Sequence, residues 1–220
     1  MRVNEVRPYW EILNKKQGEL LLKRCFDFSL AILLLVLFSV PMGAIAIIIK
    51  ADSEGPVFFR QERVTSYGKH FRIHKFRTMV SNAENIGASL TMENDIRITR
   101  VGKKLRQYRL DELPQLLDVL KGDMSFVGTR PEAVKYVEQY EKEYYATLLI
   151  PAGITSEASI RFKDENVLLG AAVDADQVYM EDILPAKMKW NLDSIRHFCL
   201  LGEIQTMFRT VLAVMGKEYS

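Results

Sequence analysis

The sequence predicts an α+β chain, mainly helical, with a membrane-directed apolar helix near its N-terminal end and a small basic β-hairpin after it. Three observations lead there. Phe28 to Ile49 is an uncharged apolar run. His70 to His74 alternates polar and apolar residues just beyond a Ser66-Tyr67-Gly68 turn signal. Leu113, Leu116, Leu117 and Leu120 recur at the spacing of one helix face.

The bulk numbers set the frame. A length of 220 residues leaves room for one anchored segment and one ordinary globular domain, divided here at residues 1–50 and 51–220. With 48% hydrophobic and 26% charged residues the chain is expected to fold, and a net charge of +2 is too small to point to nucleic acid. Cys25 and Cys199 lack the spacing of a zinc site and lie in apolar stretches, which predicts small buried side chains.

Taken in order, Met1 to Leu22 mixes Tyr9, Trp10, Ile12 and Leu13 with charges, a pattern that suits an interfacial segment or a surface helix equally. Phe28 to Ile49, as a straight helix at 1.5 Å per residue, reaches about 33 Å, enough to cross a hydrocarbon core. Pro41 lies inside this run and removes a backbone hydrogen bond, so a bend or break is expected there. Ser39 is placed to satisfy a carbonyl freed by it. Cations flank both ends (Lys23 and Arg24 before, Lys50, Arg60 and Arg63 after), which gives no clean charge asymmetry. A kinked single span and a re-entrant helix–break–helix both remain open on these residues.

Pro56 to Met79 reads as the basic hairpin, its cations suited to a phosphate site or to anionic headgroups. His70 and His74 have no partners at metal-ligand spacing and read as surface or structural histidines. Ala83 to Leu90 is expected as a short helix, and Asn94 to Val101 as a further β-branched stretch. The leucine stripe ends on Lys121 and Gly122, the usual C-terminal signals. Pro131 to Leu149 reads as a helix stopped by Pro151, and Leu200 to Met215 as an amphipathic helix that suits core packing or a membrane surface.

The residues with chemistry cluster at the start of the leucine stripe. Pro114 fits only in a first helical turn, which puts Asp111 and Glu112 at the helix N-terminus, where free N–H groups favour an ionised carboxylate. Helix capping alone would explain such a pair. Arg106, Arg109 and Arg130 are close in sequence and could neutralise a diphosphate, and a carboxylate beside a divalent cation can attack phosphorus or hold the metal. Asp174-Ala175-Asp176 offers a rival DxD-type metal site of the sort conventional glycosyltransferases use.

His74–Met79 (HKFRTM), Asn94–Gly128 (NDIRITRVGKKLRQYRLDELPQLLDVLKGDMSFVG) and Arg130-Pro131 together resemble the bacterial sugar transferase family, the monotopic polyprenyl phosphate phosphoglycosyl transferases. The resemblance is strong from Lys23 to Glu132 and weak beyond. It implies a re-entrant membrane helix broken at Ser39 and Pro41, held in the cytosolic leaflet of the bacterial inner membrane. It implies Asp111 as nucleophile beside Glu112, with Mg2+ at Asp111. The phosphate-binding cations read from the residues themselves are Arg130 and Arg109, followed by Lys75 and Arg77 of the hairpin, whose charges also suit lipid headgroups. The implied partners are a UDP-sugar donor, a polyprenyl phosphate acceptor and the lipid bilayer, and the implied product besides the lipid-linked sugar is UMP. A homo-oligomer stays open. Thr129 departs from the family's usual proline, Asp118 from its commoner asparagine, and Ser156 to Phe162 from its usual continuation, which leaves the sugar undefined. A non-catalytic membrane scaffold is the alternative of a different class.

Overall fold

The computed structural model describes residues 4–81, 83, 95–163, 165, 169 and 174–214. It opens on α1 (Arg7–Lys15), which Pro8 starts in its first turn. Tyr9 and Leu13 on the inner face of α1 are buried against Leu149, Leu192 and Phe198, while Trp10 stays half exposed. The lead is therefore a docked helix and part of a core, and Tyr9 does not lie at a surface.

Helix α2 (Gln17–Asp52) follows, and it carries the apolar run. Its most apolar stretch has mean hydropathy 2.9 and is 6% buried, so α2 is not a core helix of this domain. The expected break at Pro41 does not interrupt it: α2 is helical from end to end. A proline costs one hydrogen bond of the ladder, and Ser39 Oγ donates to the Val36 carbonyl at 2.8 Å in the same turn.

Both flanks of α2 are fixed to the same globular body. On the N-terminal side Lys23, Asp27 and Ala31 are buried, and the Arg24 guanidinium donates to the carbonyls of Val119 (2.6 Å) and Leu120 (2.9 Å). On the C-terminal side Ile49 packs with Phe76 and Leu105. Between these docked ends Leu33, Val36, Leu37 and Val40 are exposed.

The expected hairpin is present. β1 (Phe58–Val64) pairs antiparallel with β2 (His70–Phe76) through Ser66–Gly68, where Tyr67 and Gly68 take positive φ to close the turn. Phe71 and Ile73 of β2 face a core that also holds Ala31, Leu116 and Val119. Next come α3 (Arg100–Gln107), a 3-10 turn (Leu110–Gln115), and α4 (Leu116–Lys121). Gly122, at φ 86°, terminates α4 as its sequence signals require.

A second, parallel pair escaped the sequence reading: β3 (Met124–Val127) against β4 (Ala152–Thr155). Each has four mostly buried residues, too few for alternation to register. Beyond β3 the chains approach so closely that a Cβ on Gly153 would lie 2.2 Å from the Gly128 nitrogen.

The single helix expected over Pro131 to Leu149 is instead α5 (Val134–Val137) and a 3-10 stretch (Lys142–Leu149). The β-branched and aromatic residues there serve tertiary contacts; Tyr136 and Tyr140 pack with Tyr179 and Met188. After β4 come α6 (Glu157–Arg161), α7 (Ala175–Val178) with a π-helical turn (Tyr179–Ile183), α8 (Leu184–Arg196) and α9 (Leu200–Val214). Both cysteines are exposed, not buried as expected, since Cys25 lies off the docked face of α2 and Cys199 precedes α9. The helix expected over Ala83 to Leu90 lies almost entirely outside the described residues.

Candidate active site

Three elements converge on the acidic pair. Arg109 adopts a left-handed conformation (φ 56°), which turns the chain sharply between α3 and the 3-10 helix that carries Asp111 and Glu112. Pro114 sits within this short helix and Gln115 ends it. α3 is pressed against the end of β2: a Cβ on Gly102 would lie 2.1 Å from the Thr78 carbonyl oxygen. That contact brings the 3-10 turn beside Lys75, and the β3–β4 crossing sends Thr129-Arg130-Pro131 toward the same place. The Thr129 carbonyl accepts from Gly153 N at 2.9 Å.

The two carboxylates have opposite surroundings. Glu112 Oε1 accepts from Lys75 Nζ at 2.8 Å and from an Arg130 terminal nitrogen at 2.7 Å. Burial, the largest single influence, pushes Glu112 upward, but Arg130 and Lys75 together outweigh it and hold the carboxyl well below its usual range. Asp111 is 8% exposed, and its Oδ1 is buried with no hydrogen-bond partner. Burial first, and then the charge of Glu112, push Asp111 upward; Lys75, Arg106 and Arg109 only partly oppose them. One acid is therefore locked ionised in an ion-pair cluster, and its neighbour is a desolvated carboxylate with an open oxygen. Helix capping does not account for Asp111, because Arg109 holds the N-cap position of this short helix and no side chain makes a cap hydrogen bond there.

The other candidate residues divide. Arg109 is exposed at the rim. Lys75 and Arg130 keep 20% and 30% of their side chains exposed, so each can offer further N–H groups to a bound anion. Arg77 does not join them, a correction to the expected phosphate role. Its terminal nitrogens donate to the carbonyls of Glu54 (2.7 Å), Ser53 (2.7 Å) and Ile49 (3.3 Å), so it caps the C-terminal end of α2.

Asp174 and Asp176 stand apart from this site and are occupied. Asp174 caps α7 through Gln177 N, and Asp176 accepts from Lys135 and Tyr136. Asp118, singled out in the sequence only as a departure, has a structural part here. It is 1% exposed, and its carboxylate accepts from His74 N at 2.8 Å and meets His74 Nδ1 at 2.5 Å. This pair clamps β2 onto α4 next to Lys75. An acid inside a leucine stripe was the available signal, and it bears out His74 as structural.

Asp111 is also the residue that could serve a cation. Among the described residues no group of three or more His, Cys, Asp or Glu side chains gathers at one point. A buried carboxylate such as that of Asp111, not committed to a cation of the protein, fits a hard divalent ion whose remaining oxygen ligands arrive with a phosphate-bearing substrate.

The model of the family described as bacterial sugar transferase matches residues 18–217. A UDP-N-acetylgalactosamine-undecaprenyl-phosphate N-acetylgalactosaminephosphotransferase of Aeromonas hydrophila is 38% identical over 197 residues, covering 88% of this chain and 44% of that protein. A UDP-glucose:undecaprenyl-phosphate glucose-1-phosphate transferase of Escherichia coli K12 is 37% identical over 194 residues, covering 87% of this chain and 39% of that protein. The chain thus spans less than half the length of these two relatives. An uncharacterized sugar transferase, EpsL, of Bacillus subtilis 168 is 39% identical over 197 residues, with 90% of each chain covered.

Proposed function

Because this chain belongs to the bacterial sugar transferase family, we propose that it moves a sugar phosphate from a UDP-sugar onto a polyprenyl phosphate, through a covalent adduct on Asp111. The observation that carries this reading is the open Oδ1 of Asp111 beside a neighbouring carboxylate already committed to two cations. The relatives' names support the donor and acceptor classes.

In this mechanism Asp111 Oδ1 attacks the sugar-bearing phosphorus. An O–P bond forms while the bond from that phosphorus to the bridging oxygen breaks, and UMP leaves with the bridging oxygen and the electron pair. A phosphate oxygen of the polyprenyl carrier then attacks the same phosphorus. The Asp111–phosphorus bond breaks, its electron pair returns to the carboxylate, and a polyprenyl diphosphate sugar results. Dividing the transfer lets both substrates use one site in turn. Arg130 and Lys75, kept in place by Glu112, offset charge on the phosphates through their remaining N–H groups, with Arg109 at the rim. Asp111 and the diphosphate oxygens would hold Mg2+, which when bound supplies further charge neutralisation.

The acceptor sets the location. We read α2 as re-entrant in the cytosolic leaflet of the inner membrane, which puts Asp111 within reach of a lipid phosphate. Docking of both α2 flanks on one body supports this, because a spanning helix would put about 30 Å of hydrocarbon between them.

Incubation with a panel of UDP-sugars, undecaprenyl phosphate and Mg2+ tests the reaction. UMP released with a lipid-linked sugar phosphate is the expected product pair. UDP release would indicate ordinary glycosyl transfer, and no turnover with any donor would favour a scaffold.

A further inference from the structure

The C-terminal helix α9 has its polarity inside out. A surface helix in water turns apolar residues inward and charges outward. Between Leu200 and Val214 the charged residues are Glu203 and Arg209, and both are engaged on the protein side. Glu203 takes a hydrogen bond from Lys23 of α2, and Arg209 pairs with Glu157 at 2.9 Å. Thr210 shares a hydrogen bond with Thr155 of β4 at 2.8 Å. The outward stripe consists of Leu201, Gln205, Phe208, Val211 and Val214, with exposures of 79% at Leu201 and 67% at Phe208.

The joint between α9 and α2 is buried and ionic. Lys23 and Asp27 are 4% and 3% exposed. Lys23 Nζ also donates to the Val127 carbonyl at 3.0 Å and lies 3.9 Å from Asp27 Oδ2, which accepts from Ser125 Oγ at 2.8 Å. Burying such a cluster is costly unless every member is partnered, as here. It fixes α9 against a helix that itself exposes Leu22, Phe26 and Leu33.

From this inverted face and its continuity with the exposed side of α2, we infer that α9 is a second lipid-seated element, its Leu201–Phe208–Val211–Val214 face against acyl chains. Over its 15 described residues, about 22 Å, α9 is shorter than a hydrocarbon core and lies in the plane of the bilayer. A bilayer, not a second copy of this chain, is the occupant the observations favour, because one apolar surface then covers both helices. The inference rests on the membrane reading of α2, and its test separates the two.

The test uses full-length protein with Cys25→Ser and Cys199→Ser and one added cysteine at a time, Val36→Cys, Phe208→Cys or Lys189→Cys. Each carries an environment-sensitive dye and is reconstituted in phosphatidylcholine–phosphatidylglycerol vesicles containing a spin-labelled lipid. All three positions are exposed, so the substitutions leave packing intact. The expected result is blue-shifted emission at 36 and 208, with roughly half of it lost to the quencher lipid, and neither change at 189. Quenching at 36 without quenching at 208 overturns the inference and leaves the topology of α2 standing. Quenching at neither removes both. A blue shift at 208 that follows protein concentration and ignores the quencher assigns this face to a second copy instead, and also overturns the inference.

Discussion

Replacing Asp111 by asparagine should stabilise the protein while abolishing its activity. The folded chain holds Asp111 above its ordinary value of 3.8, mainly through burial, so the acid binds its proton more tightly folded than unfolded. Such a group favours folding at low pH, and that contribution is lost as pH rises through the folded value. At pH 7.5 the wild type bears the full cost of a desolvated carboxylate with an unpartnered oxygen. An unpartnered buried polar group costs about 1–3 kcal/mol and an ionised one more, and asparagine removes the charge while keeping a polar group in place, so relief of about 1–3 kcal/mol is expected. For a chain near this size 1 kcal/mol moves the midpoint by about 2–4 °C, so Asp111→Asn should melt about 2–12 °C higher. Adjacent Glu112 should behave oppositely. Its carboxyl is held well below 4.5 in the folded chain, so its stabilisation is present above that pH and is lost as the pH falls. Glu112→Gln should therefore lower the midpoint at pH 7.5. Scanning fluorimetry in one detergent at one heating rate compares the three proteins, and the Asp111→Asn advantage should shrink toward pH 4. A lower midpoint for Asp111→Asn at pH 7.5 would refute the reasoning and return Asp111 to a capping role.

Other substitutions probe the supporting residues. Arg130→Met removes one of two cations from Glu112; a lost charged hydrogen bond is worth about 1.5–3 kcal/mol, so kcat/KM for the nucleotide sugar should fall about 10- to 100-fold in steady-state assays. Arg77→Met should lower the thermal midpoint by the loss of about 2 kcal/mol or more while KM for the donor holds, since its bonds go to the end of α2; raised KM at unchanged stability would restore the phosphate role. Asp118→Ala strands His74 N and its ring nitrogen, at about 1–3 kcal/mol for each group, whereas Asp118→Asn keeps an acceptor and should lose less by denaturant titration.

Local signals carried the elements that are long or chemically marked. The apolar run, the turn at Ser66 to Gly68 and the Lys121-Gly122 stop each depend on neighbouring residues, and each appears where expected. What stayed hidden depends on partners far along the chain. β3 and β4 are joined across a Gly128–Gly153 contact that no window of sequence contains. Arg77 and Lys75 read alike as cations of one hairpin, yet their side chains go to the carbonyls of α2 and to Glu112 respectively. The acidic pair was legible as a pair; only the geometry distinguishes an occupied Glu112 from an open Asp111.

The most direct measurement feeds the enzyme a UDP-sugar labelled in its sugar-proximal phosphate, with Mg2+ and no lipid acceptor, and locates the label by peptide mass spectrometry after rapid quenching. Label on the peptide containing Asp111, absent from Asp111→Asn and discharged by added polyprenyl phosphate, is the predicted result. Label on another residue, or lipid product formed with no protein-bound label at any time, would contradict it.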